Sequence, residues 1–202
     1  MRLRIVPILP FILLVASRTV SAQTGPQSSV QQEFISGGTI RMELEAGGYT
    51  IRPGDSANIV VTCHANSEDQ LKNLRVDIRA GTSTADVLVR DTPHNNFSAI
   101  IEVPRQSHLW VRLSAGELDV QGVEGNKDLG IRAGQLQVEV PYPEQYRRSD
   151  ASVLAGSIEA PAFHVSKGGL FRSFRQQGPG KYRLHAQVLA GEIDLRTRIP
   201  GE

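Results

Sequence analysis

The chain has 202 residues, with 22 basic against 21 acidic side chains and 40% hydrophobic residues. A balance so close to neutral lacks the basic footprint of a nucleic-acid binder and excludes that class. A single cysteine, Cys63, excludes an internal disulfide framework, and the five histidines show no ligand spacing that would mark a metal or cofactor site.

Residues 1–22 carry Arg2 and Arg4, an apolar stretch from Ile5 to Ala16, and Val20-Ser21-Ala22 before Gln23. This is the order of a secretory signal peptide, with cleavage expected before Gln23. At about 12 residues, the apolar run falls short of the roughly 20 that a spanning helix needs, so no membrane span is expected after cleavage. Removing residues 1–22 takes three arginines and no acid, leaving 19 basic against 21 acidic residues. The expected location is the periplasm, the cell surface or the medium of a bacterium.

Residues 23–32, QTGPQSSVQQ, are polar and without apolar period, and read as a flexible leader without a fold of its own. Residues 33–199 then form one domain of ordinary size. Its dominant signal is short alternation, as in Thr39-Ile40-Arg41-Met42-Glu43-Leu44, Leu74-Arg75-Val76-Asp77-Ile78-Arg79 and Ser98-Ala99-Ile100-Ile101-Glu102-Val103. Period two bounded by Gly, Pro, Asn and Asp marks half-buried strands, so the fold class is all-β. Ser67 to Asn73 supports one helical turn at most. Cys63 ends the alternating run Ile59-Val60-Val61-Thr62 and reads as a buried, inert thiol.

Four segments in the second half share one pattern: Ala115-Gly116-Glu117-Leu118-Asp119-Val120, Ala133-Gly134-Gln135-Leu136-Gln137-Val138, Ala155-Gly156-Ser157-Ile158-Glu159-Ala160 and Ala190-Gly191-Glu192-Ile193-Asp194-Leu195. Their glycines are 18, 22 and 35 residues apart, a recurrence that points to a β-solenoid-like stack of short strands. Before each of the first, second and fourth pairs the apolar positions alternate cleanly, yet Leu118 lies three residues beyond Ala115. Residues an odd number apart on a straight strand face opposite ways. The chain must therefore turn a corner or bulge at Gly116, Gly134, Gly156 and Gly191, with the alanine expected inside the corner.

These residues resemble the bacterial putative-adhesin domains of unknown function, which follow a signal peptide and carry recurring glycine-led strands. The resemblance covers about Glu33 to Arg198 and is clearest from Leu109 to Val123 and in the later Ala-Gly segments. It implies a right-handed β-solenoid-like fold and an adhesive role, and brings no catalytic residues with it. His164 to Arg183, containing SKGGLFRSFRQQGPGKY, departs from the pattern.

GxSxG, GxxxxGK[ST] and HExxH are absent. Asp86, Asp91 and His94 near a turn lack a partner serine and read as polar loop residues. Glu117, Asp119, Glu139, Glu159, Glu192 and Asp194 could stack into a carboxylate ladder such as a carbohydrate-active enzyme uses, but each occupies an outward position where solvated charge is ordinary. Two stretches interleave aromatics with arginine: YPEQYRR, with Tyr142, Tyr146, Arg147 and Arg148, and FRSFR, with Phe171, Arg172, Phe174 and Arg175. Such mixtures are enriched at recognition surfaces, which makes these eight residues the candidate contacts for a glycan or envelope protein. The reading is a non-catalytic, exported, adhesin-like domain with no cofactor. Its rivals are a β-helix carbohydrate-active enzyme and a periplasmic accessory or sensing subunit. The charged C-terminal strand is expected in mid-sheet or as a guarded edge, leaving a monomer.

Overall fold

A computed structural model describes residues 26–197, so the expected signal peptide lies outside the described residues. Twelve strands form one mixed sheet: β1 (Gln27–Glu33), β2 (Thr39–Leu44), β3 (Gly47–Pro53), β4 (Asn58–His64), β5 (Arg75–Ala80), β6 (Thr84–Arg90), β7 (Ser98–Val103), β8 (His108–Val120), β9 (Lys127–Glu139), β10 (Tyr146–Ala160), β11 (Val165–Gln177) and β12 (Tyr182–Arg196). Among the described residues, the one α-helix, α1 (Glu68–Leu71), is a single turn within Ser67 to Asn73.

The long strands run in the order β8-β9-β12-β10, all parallel, with antiparallel β11 at the edge. At β8 the sheet forks. Residues 108–113 pair with β2, which continues to β6 and β5, whereas residues 116–120 pair with β3, which continues to β7, β4 and β1. The fork lies where the long strands bend. Inward side chains stop at Leu113 and resume at Leu118, the odd interval that a straight strand forbids. Pairing steps over Ser114 and Arg132, and over Leu189 and Leu154, at the same level.

Just past that level the glycines fall in one row: Gly47, Gly116, Gly134, Gly191, Gly156 and Gly169 are successive cross-strand partners. Gly116, Gly134, Gly156 and Gly191 have φ of 118°, 133°, 140° and 138°, a region that L side chains rarely adopt. A Cβ on any of these four would meet the carbonyl oxygen of the neighbouring strand's glycine. The alanines, however, do not sit inside the bend. Ala133 and Ala190 are exposed and Ala115 and Ala155 are half-buried, because the inward direction is lost one residue earlier than simple alternation implies.

Both halves of the bent strands send apolar side chains into one core. Val87, Met42, Val111, Leu129, Ala186 and Ala151 form one inward row before the bend. Cys63, Ala99, Tyr49, Leu118, Leu136, Ile193 and Ile158 form another beyond it. Burial pushes the Cys63 thiol up to about 11.

One expectation needs correction. The polar stretch 23–32 is not a leader without a fold, since Gln27 to Gln32 belong to β1, which pairs along its length with β4. Backbone bonding at a sheet edge needs no apolar side chains, and β1 is almost wholly exposed on both faces. The departure expected within 164–183 takes the form of an antiparallel edge strand, β11, in place of another parallel strand of the ladder. β12 takes the place between β9 and β10, so the C-terminal strand lies within the sheet.

Candidate functional site

Before the bend, the outward positions of eight strands fall in one cross-strand row: Arg79, Asp86, Arg41, Trp110, Asp128, His185, Asp150 and Arg175. Each long-strand member, Trp110, Asp128, Asp150 and His185, stands five residues before its Ala-Gly alanine. In-register pairing of the repeats thus places these four side chains side by side. Cross-strand neighbours on one face interact directly, and this row alternates charge over much of its length.

The row's chemistry concentrates on Asp150, whose side chain is 15% exposed. Its Oδ1 accepts a hydrogen bond from Arg148 Nε at 2.7 Å, and its Oδ2 lies 2.5 Å from His185 Nδ1. Arg175 Nε stands 3.8 Å from Oδ1. Burial pushes the Asp150 carboxyl up, but hydrogen bonds from His185 and Arg148, with their charges, outweigh it and hold the group below the usual carboxylate range. Next along, Asp128 pairs with Arg112 at 2.8 Å, and the Arg112 guanidinium lies 4.2 Å from the centre of the Trp110 ring.

Asp150, Arg148, His185, Arg175 and Asp128 line an open groove of about 980 Å³, which Lys167 and Arg183 also enter. Lys167 Nζ donates to the Ser173 carbonyl at 2.8 Å, and the Arg183 backbone N–H donates to Asn126 Oδ1 at 2.8 Å. Beneath lies Lys127, buried, with Nζ donating to the Tyr146 hydroxyl at 2.6 Å. Burial lowers this lysine to about 8, against a smaller upward pull from Glu124. His108 Nδ1 accepts from the Asn126 backbone N–H at 3.0 Å, which fixes that ring nitrogen as unprotonated.

Of the eight contacts expected from the sequence, Arg148, Phe174 and Arg175 line this groove, brought together because β10 and β11 are antiparallel neighbours. Tyr146 is buried against Lys127 and Tyr182 and faces no solvent-borne ligand. Phe174 is also buried, packed on Phe163 at 5.7 Å. Phe171, 77% exposed with φ of 52°, and Arg172, whose Nε donates to the Gly168 carbonyl at 2.8 Å, lie on β11 nearer the bend. Tyr142 and Arg147 are exposed, outside the residues lining the groove. Asp150, His185, Arg183 and Lys127 were not read from the sequence as site residues. Aligning the four Ala-Gly segments and reading back five positions would have found the first two.

Past the bend, the outward carboxylates do stack. Asp119, Gln137, Asp194 and Glu159 form one row, and Glu117, Gln135, Glu192 and Ser157 another. Burial, with Glu159 and Asp119 close by, raises Asp194 above the ordinary aspartate range despite Arg196. Among the described residues, no three or more His, Cys, Asp or Glu side chains are placed to hold a metal ion, and no helix is long and apolar enough to cross a membrane. Asp91 pairs with Arg75 at 3.2 Å in a surface loop.

No family model matches this chain, and no curated protein does. Among solved structures, a "putative cell adhesion protein" from Clostridium sporogenes is similar at a TM-score of 0.58 and 12% identity, over 87% of this chain and 100% of that one. A "putative adhesin" from Parabacteroides merdae aligns over 57% of this chain and 59% of its own at 13% identity, with a TM-score of 0.28. The first of these shares the fold, which agrees with the resemblance seen in the Ala-Gly segments.

Proposed function

We propose that the protein is an exported, non-catalytic binding domain of the bacterial cell envelope, adhesin-like in role as in fold, whose binding face is the outward side of the sheet before the bend. The observation that carries this is the Asp150 groove: a concave, charged, hydrogen-bonding surface built on parallel strands locked in register. Side chains on such a ladder are held by both neighbouring strands, which suits recognition without moving parts. The parallel ladder β8-β9-β12-β10 fits the same role, since strands paired side by side create an extended face. The fold likeness to the "putative cell adhesion protein" of Clostridium sporogenes supports the same reading.

The rival reading, a carbohydrate-active enzyme, draws on one observation, the raised Asp194 beside Glu159. Glycoside hydrolysis needs two carboxylates flanking the scissile bond. Asp194 and Glu159 stand side by side on adjacent strands past the bend, and neither lines the Asp150 groove.

One experiment separates the two. The purified protein is passed over immobilised bacterial and host polysaccharides and over envelope fractions, and the eluted ligand is analysed for chain length and new reducing ends. Saturable, reversible retention with the ligand recovered intact is expected. New reducing ends that vanish in Asp194→Asn would establish the enzyme, and no retention on any of these surfaces would refute a binding role.

A further inference from the structure

The groove's charges do not cancel. Asp150 is the one acid shared by Arg148, His185 and Arg175, while Arg183 and Lys167 have no carboxylate partner among the described residues. Arg148 and Arg183 are, moreover, direct cross-strand partners on β10 and β12. Like charges set directly opposite destabilise a sheet, so this pairing costs the free protein something that a bound anion would relieve. Asp128, the other acid lining the groove, is already taken by Arg112.

The cations are also distributed, not convergent. They stand on three adjacent strands, β12, β10 and β11, at steps of about 4.8 Å. That spread is too wide for one small anion to meet them all, and each step is close to the length of one sugar unit in a linear chain. Neutral hydrogen-bonding groups suited to sugar hydroxyls, Ser152, Ser173 and Asn126, line the same groove. The exposed apolar Leu170 and Phe171, which a membrane-binding surface would use, are not among the groove's lining residues.

We propose that this groove binds a linear anionic polysaccharide, its carboxylate or sulfate groups taken in succession by Arg183, Arg148 and Arg175 with Lys167. This deepens the binding reading above and rests on it. Asp150 acts as the positioning residue, holding the Arg148 guanidinium and the His185 ring and leaving their outer donors free for ligand.

Isothermal titration with polygalacturonate, dextran sulfate and neutral dextran tests it, at low and at 0.5 M salt. The charged polymers should bind saturably and weaken with salt, and neutral dextran should not bind. Arg148→Gln/Arg175→Gln should lose about tenfold or more in affinity, corresponding to two charge-assisted hydrogen bonds partly offset by solvent. Arg52→Gln/Lys72→Gln, on β3 past the bend and beside α1, outside the groove and its face, should bind as the parent does. Arg183→Gln, whose side chain has no ion pair to lose, should weaken binding about threefold or more and serves if the first pair fails to fold. Equal loss in the Arg52→Gln/Lys72→Gln control would show diffuse attraction and overturn the proposal. So would inorganic sulfate binding as tightly as the polymers, which would mean an adventitious ion only, or anionic phosphatidylglycerol vesicles outcompeting them. Tight binding of a neutral polysaccharide, untouched by Arg148→Gln/Arg175→Gln, would overturn this site while leaving the domain a binder. Failure on every polysaccharide and envelope fraction would remove both.

Discussion

Replacing Gly134 by alanine puts a methyl group where β9 passes β8 most closely. Two costs follow. At φ of 133° an L residue is strained, by about 1–3 kcal/mol for such regions. The new Cβ would also lie on the Gly116 carbonyl oxygen, a backbone atom that cannot swing away as a side-chain tip can. Relief requires β8 and β9 to part locally, and losing one or two ladder hydrogen bonds costs about 0.5–1.5 kcal/mol each. A total near 3–4 kcal/mol is a large part of the 5–15 kcal/mol that holds a typical domain together. At about 2–4 °C per kcal/mol for this size, Tm should fall by roughly 6–16 °C. Two controls separate the costs by thermal melting and urea titration. Gly37 has φ of 82° but open space around its Cβ position, so Gly37→Ala should lose only about 1–2 kcal/mol. Gly168 has open space and no such φ, and Gly168→Ala should change stability by no more than about 0.5 kcal/mol. If Gly134→Ala melts no lower than Gly37→Ala, the close approach is not what fixes glycine in the row.

Lys127 should make stability rise with pH. The unfolded chain keeps its proton to about 10.5 and the folded chain releases it near 8, so the burial penalty is complete below about pH 8 and is relieved above it. Urea titrations between pH 8 and 9 should show a gain of at most about 1.4 kcal/mol, flattened in Lys127→Met. Above pH 9 the gain should stall, because Cys63, raised by burial, favours the folded state only while the unfolded thiol stays protonated. Lys127→Met/Tyr146→Phe, which removes both buried polar partners, should be as stable as the parent or more stable by about 1–4 kcal/mol at pH 7, whereas Lys127→Met alone strands the Tyr146 hydroxyl and should fall about 1–3 kcal/mol below the double variant. Cys63 should react with a thiol reagent at pH 8 only after denaturant is added, and rapid labelling of the native protein would contradict its burial. Ending the chain after Lys181 removes β12 from between β9 and β10 and should abolish the far-ultraviolet β signal and the cooperative melt. Deleting residues 27–33 should leave both intact but bare the β4 edge and promote self-association in light scattering.

Alternation along Thr39–Leu44 or Ser98–Val103 marks a strand and its buried face because side chains on a strand change sides at every residue, a constraint that acts within the segment. The odd interval from Leu113 to Leu118 likewise requires a bend near Gly116 in whatever sheet contains it. Those features, the all-β class and the burial of Cys63 were therefore legible in the sequence. Which strands lie side by side was not, since period two fixes the face of a strand but carries no label for its neighbour. β12 enters between β9 and β10, β11 returns antiparallel, and polar β1 joins through backbone bonds that leave no trace in its side chains. The candidate site divides along the same line. Arg148 and Arg175 stood out by composition, but Asp150 and His185, 35 residues apart, meet only because their strands pair in register, and Lys127 is buried only because β9 carries it beneath Tyr146. Local sterics are written in consecutive residues, whereas the charges a side chain meets are set by strands that tertiary pairing brings alongside it.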